Sequence, residues 1–225
     1  MSRFWLPCLL VLVPVLFSGC ASKVEEGPRI FGSGKKETSV RELADFDKVE
    51  LTTFGEMRIS IGETFSVKID IDDNLVDAVD SKVVNGTLII TTNKRFSSGI
   101  GPVVKVVMPS LKQIDLPGMG SATFKGLKEE EITMNLTGAG SVTGQGEVNQ
   151  VNVYHAGGGR VDLRKLEAKR AKVVLSGGGG ASLKAEDFIE IDSSGSGTVA
   201  VHSNTKEVKK NVTGSGVVEV GEQVD

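Results

Sequence analysis

Between Lys112 and Val220, short runs of alternating apolar and polar residues flank a recurring Gly-x-Gly. The glycine pairs are Gly118/Gly120, Gly138/Gly140, Gly157/Gly159, Gly177/Gly179, Gly195/Gly197 and Gly214/Gly216, and the first of each pair recurs at intervals of 20, 19, 20, 18 and 19 residues. The fourth residue before the first glycine is Ile114, Met134, Val153, Val173, Ile191 or Lys210; the sixth is Lys112, Ile132, Val151, Ala171, Ile189 or Val208. The fourth after it is Ala122, Val142, Val161, Ala181, Val199 or Val218, and the sixth Phe124, Gly144, Leu163, Leu183, Val201 or Val220. Positions between are polar, as in Gln113, Thr133, Asn152, Lys172, Glu190 and Lys209. Such period-two alternation predicts two short strands per unit, bent at the glycines. The glycines would serve either a positive φ or a close approach of backbones.

A repeat of about 19 residues has no room for crossover helices between parallel strands. The expected fold is all-β, a right-handed parallel β-helix-like solenoid of about six coils over residues 111–221. At ~4.8 Å per strand the stack would be roughly 24 Å long. An antiparallel meander with glycine-rich hairpins is the structural alternative. Residues 38–110 alternate too, but without Gly-x-Gly. Val49–Thr52, Met57–Ile61, Phe65–Ile71 and Val103–Met108 read as strands, and Asp72–Val79 as a short helix with acidic residues at its N-terminal end. Asn85-Gly86 between Lys82–Val84 and Leu88–Ile90 reads as a tight hairpin. This region is expected to be an antiparallel β-subdomain capping the first coil.

Residues 1–20 read as a targeting segment: Arg3, then an apolar run from Leu6 to Phe17 too short to span a membrane. It ends Leu16-Phe17-Ser18-Gly19-Cys20, which resembles a bacterial lipobox and implies lipidation at Cys20, with Ala21 pointing to the outer membrane. The other cysteine, Cys8, lies inside the leader, so the mature chain would have no thiol for a disulfide, a metal site or a nucleophile. Residues 21–37, rich in glycine and charge, read as a flexible tether.

A net charge of −3 and a pI near 5.6 argue against a nucleic-acid partner. None of the glycine motifs continues into a dinucleotide or P-loop fingerprint. Gly177–Ser182 and Gly157–Asp162 each miss the calcium β-roll pattern at one position, and two histidines, His155 and His202, do not make a zinc site by themselves. No cofactor and no metal are therefore expected. His155 falls in an inward column and reads as a satisfied core or turn residue. Its neighbour Tyr154, the only tyrosine, faces outward and is the candidate for surface contact. In the outward columns Asp115, Asn135, Tyr154, Val174, Asp192, Asn211 and Thr123, Thr143, Asp162, Ser182, Ala200, Glu219, carboxylates do not fall on successive coils. The paired acids of a glycosidase are not assembled there, though a site across columns is geometrically open.

Asp45-Phe46-Asp47-Lys48-Val49, Ile59-Ser60-Ile61-Gly62-Glu63, Asp72-Asp73-Asn74-Leu75 and Asn85-Gly86-Thr87-Leu88 resemble the opening of the GIN-type head domain of auto-transporter adhesins, a domain of unknown function in bacterial lipoproteins. The Ser/Thr-Gly-x-Gly-x-Val repeats match its second half, so the resemblance runs from about Asp45 to Val220. It implies an all-β repeat domain at the cell surface or in the periplasm, and it brings no catalytic residues. The function expected is non-catalytic: a lipid-anchored envelope protein offering a repetitive surface for adhesion, scaffolding or ligand binding. Its partners would be the membrane through the lipid, an envelope or surface protein or a glycan, and a second copy through the free coil end. A secreted β-helix enzyme acting on polysaccharide is the alternative.

Overall fold

A computed structural model describes residues 27–99 and 101–221. The chain runs β1 (Ile30–Phe31), β2 (Lys36–Arg41), β3 (Lys48–Leu51), β4 (Glu56–Ile61), β5 (Ser66–Asp72), a 3-10 helix (Asp73–Ala78), β6 (Val79–Val84), β7 (Thr87–Thr92), β8 (Phe96–Ser97) and β9 (Val103–Met108). The repeats follow: β10 (Gln113–Leu116), β11 (Ser121–Leu136), β12 (Ser141–His155), β13 (Arg160–Leu175), β14 (Gly180–Leu183), β15 (Phe188–Ser193), β16 (Thr198–Val201), β17 (Glu207–Val212) and β18 (Val217–Val220).

Every strand pair from β10 to β18 is parallel, so the repeats form a β-solenoid and not a meander. Its six glycine corners bound about five turns over residues 113–220. Register follows the glycine alignment residue for residue: Ile114, Met134, Val153, Val173, Ile191 and Lys210 are successive partners. So are Ala122, Val142, Val161, Ala181, Val199 and Val218. These columns point inward and are buried, apart from the last coil, where Lys210 is exposed and Val218 half-buried. Lys112 also leaves its column: it is exposed, with its ammonium 2.8 Å from Asp47, and Leu111 is buried in the core. Gly144 has a packing role. A Cβ there would run into the Phe124 ring one coil below, so a large and a small residue share one layer.

The region before the repeats is mixed rather than antiparallel. β3 pairs in parallel with β10 and β7, and β4 with β11 and β9, which adds two layers to the same columns. β6, β5 and β2 lie outside those layers and pair antiparallel, β6 with β7, β5 with β9 and β2 with β5. Alternation fixes which face a strand buries but not its direction, so sequence pattern alone could not separate the two arrangements. Asn85 and Gly86 turn the β6–β7 hairpin with φ of 50° and 74°, as its two-residue turn requires. One apolar cluster runs from Phe46 to Val201 through both regions.

The expected tether is docked from Ile30 onward. β1 pairs with β8, β2 pairs with β5, and the segment between them lies on the Asp72-Asp73-Asn74 turn. Asp72 does not cap the helix with its side chain. Buried, it accepts hydrogen bonds from the Gly34 amide at 2.7 Å and from the Ser98 hydroxyl. Asn74 donates to the Phe31 carbonyl at 2.9 Å and accepts from the Ser33 amide at 3.0 Å. Two positions further in, buried Asp70 is held by Thr38 at 2.7 Å, Lys105 at 2.8 Å and Lys36 at 2.9 Å. The Lys105 and Thr38 hydrogen bonds keep its carboxyl far below the usual carboxylate range.

Candidate interaction surface

The twelve corner glycines act by close approach. None of the Gly-x-Gly glycines has a positive φ. A Cβ on Gly138, Gly157, Gly177, Gly195 or Gly214 would lie closer than 3.0 Å to the carbonyl oxygen of the first glycine one coil below. Gly118 meets the Thr52 carbonyl of β3's corner in the same way. The second glycines Gly140, Gly159, Gly179, Gly197 and Gly216 meet the second glycine below, and Gly120 meets Leu51 and Thr53. Amide-to-carbonyl bonds then carry the ladder around the bend, as in Gly157 to Leu136 at 3.3 Å and Gly216 to Gly195 at 3.0 Å. The middle residue is free of this constraint: nothing lies within 4 Å of a Cβ on Gly158. The bend is a rigid ridge of backbone, and Met119 projects from its first corner at 74% exposure.

Tyr154 does face outward, 41% exposed, between Asn135 and Val174 of the neighbouring strands. Nearby Lys172 binds Glu190 at 3.2 Å, and that bond raises its pKa. His155 is buried, but the expectation that it is satisfied is not met within the protein: neither ring nitrogen has a hydrogen-bond partner among the described residues. Its imidazole lies against Gly179, in the space a Cβ there would need, and burial lowers its pKa. Cys20 lies outside the described residues.

Two features were missed by the repeat alignment. That alignment began at Lys112, so it omitted β3, which extends the outward column by one residue and sets Glu50 directly beside Asp115. Gln113 donates to both Asp115 oxygens, at 3.0 and 2.8 Å, and Asn135 donates to one at 2.6 Å. Glu50 has its pKa raised by burial first, then by the Asp115 charge, against an opposing pull from Lys82. A carboxyl pair therefore does stand on successive layers. Treating β3 as one more coil would have revealed it.

The second feature is an open groove of about 880 Å³ on the face opposite the glycine ridge. β11, β12 and β13 run as 15- or 16-residue strands through this second bend, with a register shift between Phe124 and Leu127 where Gly126 takes a φ of 76°. The following coils turn short at Lys184–Asp187 and His202–Lys206, leaving a step. Buried Val148, Ala168 and Ala185 contribute to the lining, with Glu130, Glu147, Glu167, Lys128, Lys169 and His202 around them. Glu147 and Glu167 are in register on adjacent strands, and Lys184 reaches Glu167 at 3.8 Å. The 18-residue interval between Gly177 and Gly195 was the sequence signal for the shortened turn.

The fold is thus a parallel β-solenoid with glycine corners, a polar outward ladder and a groove of mixed charge. The chain belongs to the family described as "Putative auto-transporter adhesin, head GIN domain", whose model matches residues 45–221. Three solved structures share the fold. A protein from Bacteroides fragilis described as a putative adhesin superposes with a TM-score of 0.65 at 19% identity, covering 84% of this chain and 99% of its own. A Parabacteroides merdae structure with the same description gives 0.54 at 18% identity, covering 86% of this chain and all of its own (100%). A Parabacteroides distasonis structure titled a putative lipid binding protein gives 0.53 at 20%, covering 86% and 100%. No curated protein matches the chain.

Proposed function

We propose that this is a non-catalytic cell-envelope protein, anchored by a lipid on Cys20, whose solenoid presents its groove and outward ladder to a surface glycan or protein. The observation that carries this reading is the groove. It sits on a backbone ladder that does not need to move, and Lys128 and Glu147 on its wall make no hydrogen bond or ion pair among the described residues. Unpaired polar groups on such a wall are available to hydroxyl- and amide-rich ligands, at the cost of ordering the two side chains on binding. Two arms test the reading. Cys20→Ser should release the protein from the membrane fraction; retention after a salt wash defeats the anchor. Binding of the lipidated protein to arrayed envelope glycans and proteins should fall about tenfold in Glu147→Ala/Lys128→Ala, and equal binding by the variant excludes the groove.

The Glu50–Asp115 pair favours a second reading, acid–base action on polysaccharide. One carboxyl is pushed toward its protonated form and the other is held by amide donors, the division of labour such chemistry needs. Release of reducing ends from envelope polysaccharide that disappears in both Glu50→Gln and Asp115→Asn would establish it. Release unaffected by either would end it.

A further inference from the structure

The N-terminal segment offers a surface that the groove reading does not use. Ile30 and Phe96 are partners in the parallel pair β1–β8, and so are Phe31 and Ser97. The Ile30 amide bonds to the Arg95 carbonyl at 3.0 Å and the Gly32 amide to the Ser97 carbonyl at 2.8 Å. In this register Ile30 and Phe96 pack inward, while Phe31 and Ser97 share the opposite face with Arg29 and Arg95. Phe31 is 72% exposed, a large apolar ring offered to solvent. It is not on a loose end, because its carbonyl is bound by Asn74. Continuing the register by one residue sets Arg29 opposite Arg95, and neither is in an ion pair among the described residues, although Lys35, Lys36, Lys105 and Lys112 each have a carboxylate. Two cations framing a ring call for an anionic, partly apolar partner.

We propose that this platform is a membrane-contact surface, with Arg29 and Arg95 on lipid phosphates and Phe31 at the acyl boundary. The inference rests on the Cys20 anchor. Nine residues lie between Cys20 and Ile30, so ten steps of the covalent chain can place the platform no more than about 35 Å from the lipid. Guanidinium groups match phosphate geometry, and an aromatic ring favours the headgroup level. The head would then lie with its N-terminal end on the bilayer and its glycine-cornered coils directed away from it.

The test uses the full lipidated chain carrying Phe31→Trp. The single native tryptophan, Trp5, lies in the leader, so after processing the new indole is the sole reporter. In vesicles of phosphatidylcholine with a third phosphatidylglycerol, brominated acyl chains should quench its emission severalfold. Quenching should fall at least threefold in phosphatidylcholine alone or with Arg29→Glu/Arg95→Glu, while vesicle flotation is unchanged. Absent quenching in protein that floats overturns the platform and leaves the anchor standing. Quenching insensitive to lipid charge and to the arginine changes overturns the phosphate assignment. Failure to float at all, with or without Cys20, removes the anchor and the inference together. Protection of the indole only in chemically crosslinked dimers would assign the face to a second copy instead.

Discussion

The same stack of layers turns its corners in two ways. Between β3 and β4 the bend is Thr52-Thr53-Phe54-Gly55: Thr53 is buried with an unpartnered hydroxyl, Phe54 tilts against Phe96 at 5.2 Å, and Gly55 takes a φ of 120°. At each Gly-x-Gly corner from β10 to β18 the bend is two glycines with negative φ, resting on the carbonyls below. The earlier layers depend on particular side chains, including the charged pins at Asp70 and Asp72. The later ones depend on how closely two backbones can pass, so the same residue is demanded at every level.

The largest effect should come from the interior that both regions share. Val161 is fully buried between Val142 and Ala181, and Val161→Asp should cost roughly 4 kcal/mol or more, read from denaturant midpoints. Lys172→Asp on the outer face should shift the midpoint far less, although it now sets a like charge beside Glu190. Comparable losses would mean that the columns do not separate inside from outside.

Next comes the glycine ridge. Gly157→Ala drives a methyl into backbone that has no rotamer to yield, and should destabilise by roughly 3 kcal/mol, whereas Gly158→Ala should be neutral. A neutral Gly157→Ala would show that coil spacing relaxes freely.

The side-chain pins should matter less at each site. Asp70→Asn loses charged hydrogen bonds worth about 1–2 kcal/mol. Because its folded pKa lies below that of the unfolded chain, the stabilisation is complete above about pH 4 and disappears as acid protonates the folded carboxylate. Thermal melts should therefore separate wild type from variant at pH 6 and bring them together in strong acid. A gap constant with pH would deny the carboxylate its role.

His155 sharpens the contrast most gently. Its folded pKa is depressed, so below about pH 6.5 the unfolded chain takes up a proton that the folded chain refuses, and stability falls with falling pH. His155→Leu, matching Leu136 and Leu175 in its column, should raise stability by about 1 kcal/mol at neutral pH and flatten the slope between pH 6.5 and 5. An unchanged slope would place the titration elsewhere.

The inward columns were legible because Val153, Val173 and Ile191 alternate with polar residues at a fixed distance from a glycine. Whether Val49 and Leu88 pair parallel or antiparallel was not, because alternation carries no direction. Ile30–Lys36 reads as a spacer because its composition is polar; what fixes it is a set of amides bound to Asp72 and Asn74, and backbone groups leave no mark in a sequence. His155 could be placed inside from its column. That its nitrogens would find no donor or acceptor depends on neighbours one coil away.

The last coil is unlike the others in one residue. Lys210 occupies the column that Ile114, Met134, Val153, Val173 and Ile191 fill below it, and Val212 and Val220 of the same coil are exposed. A solenoid whose end matched its interior would be a template for itself, and one molecule could add to the next without limit. With Lys210 in that column, a further strand laid on β17 would have to bury an ammonium group, a cost that a column of Ile and Val does not carry.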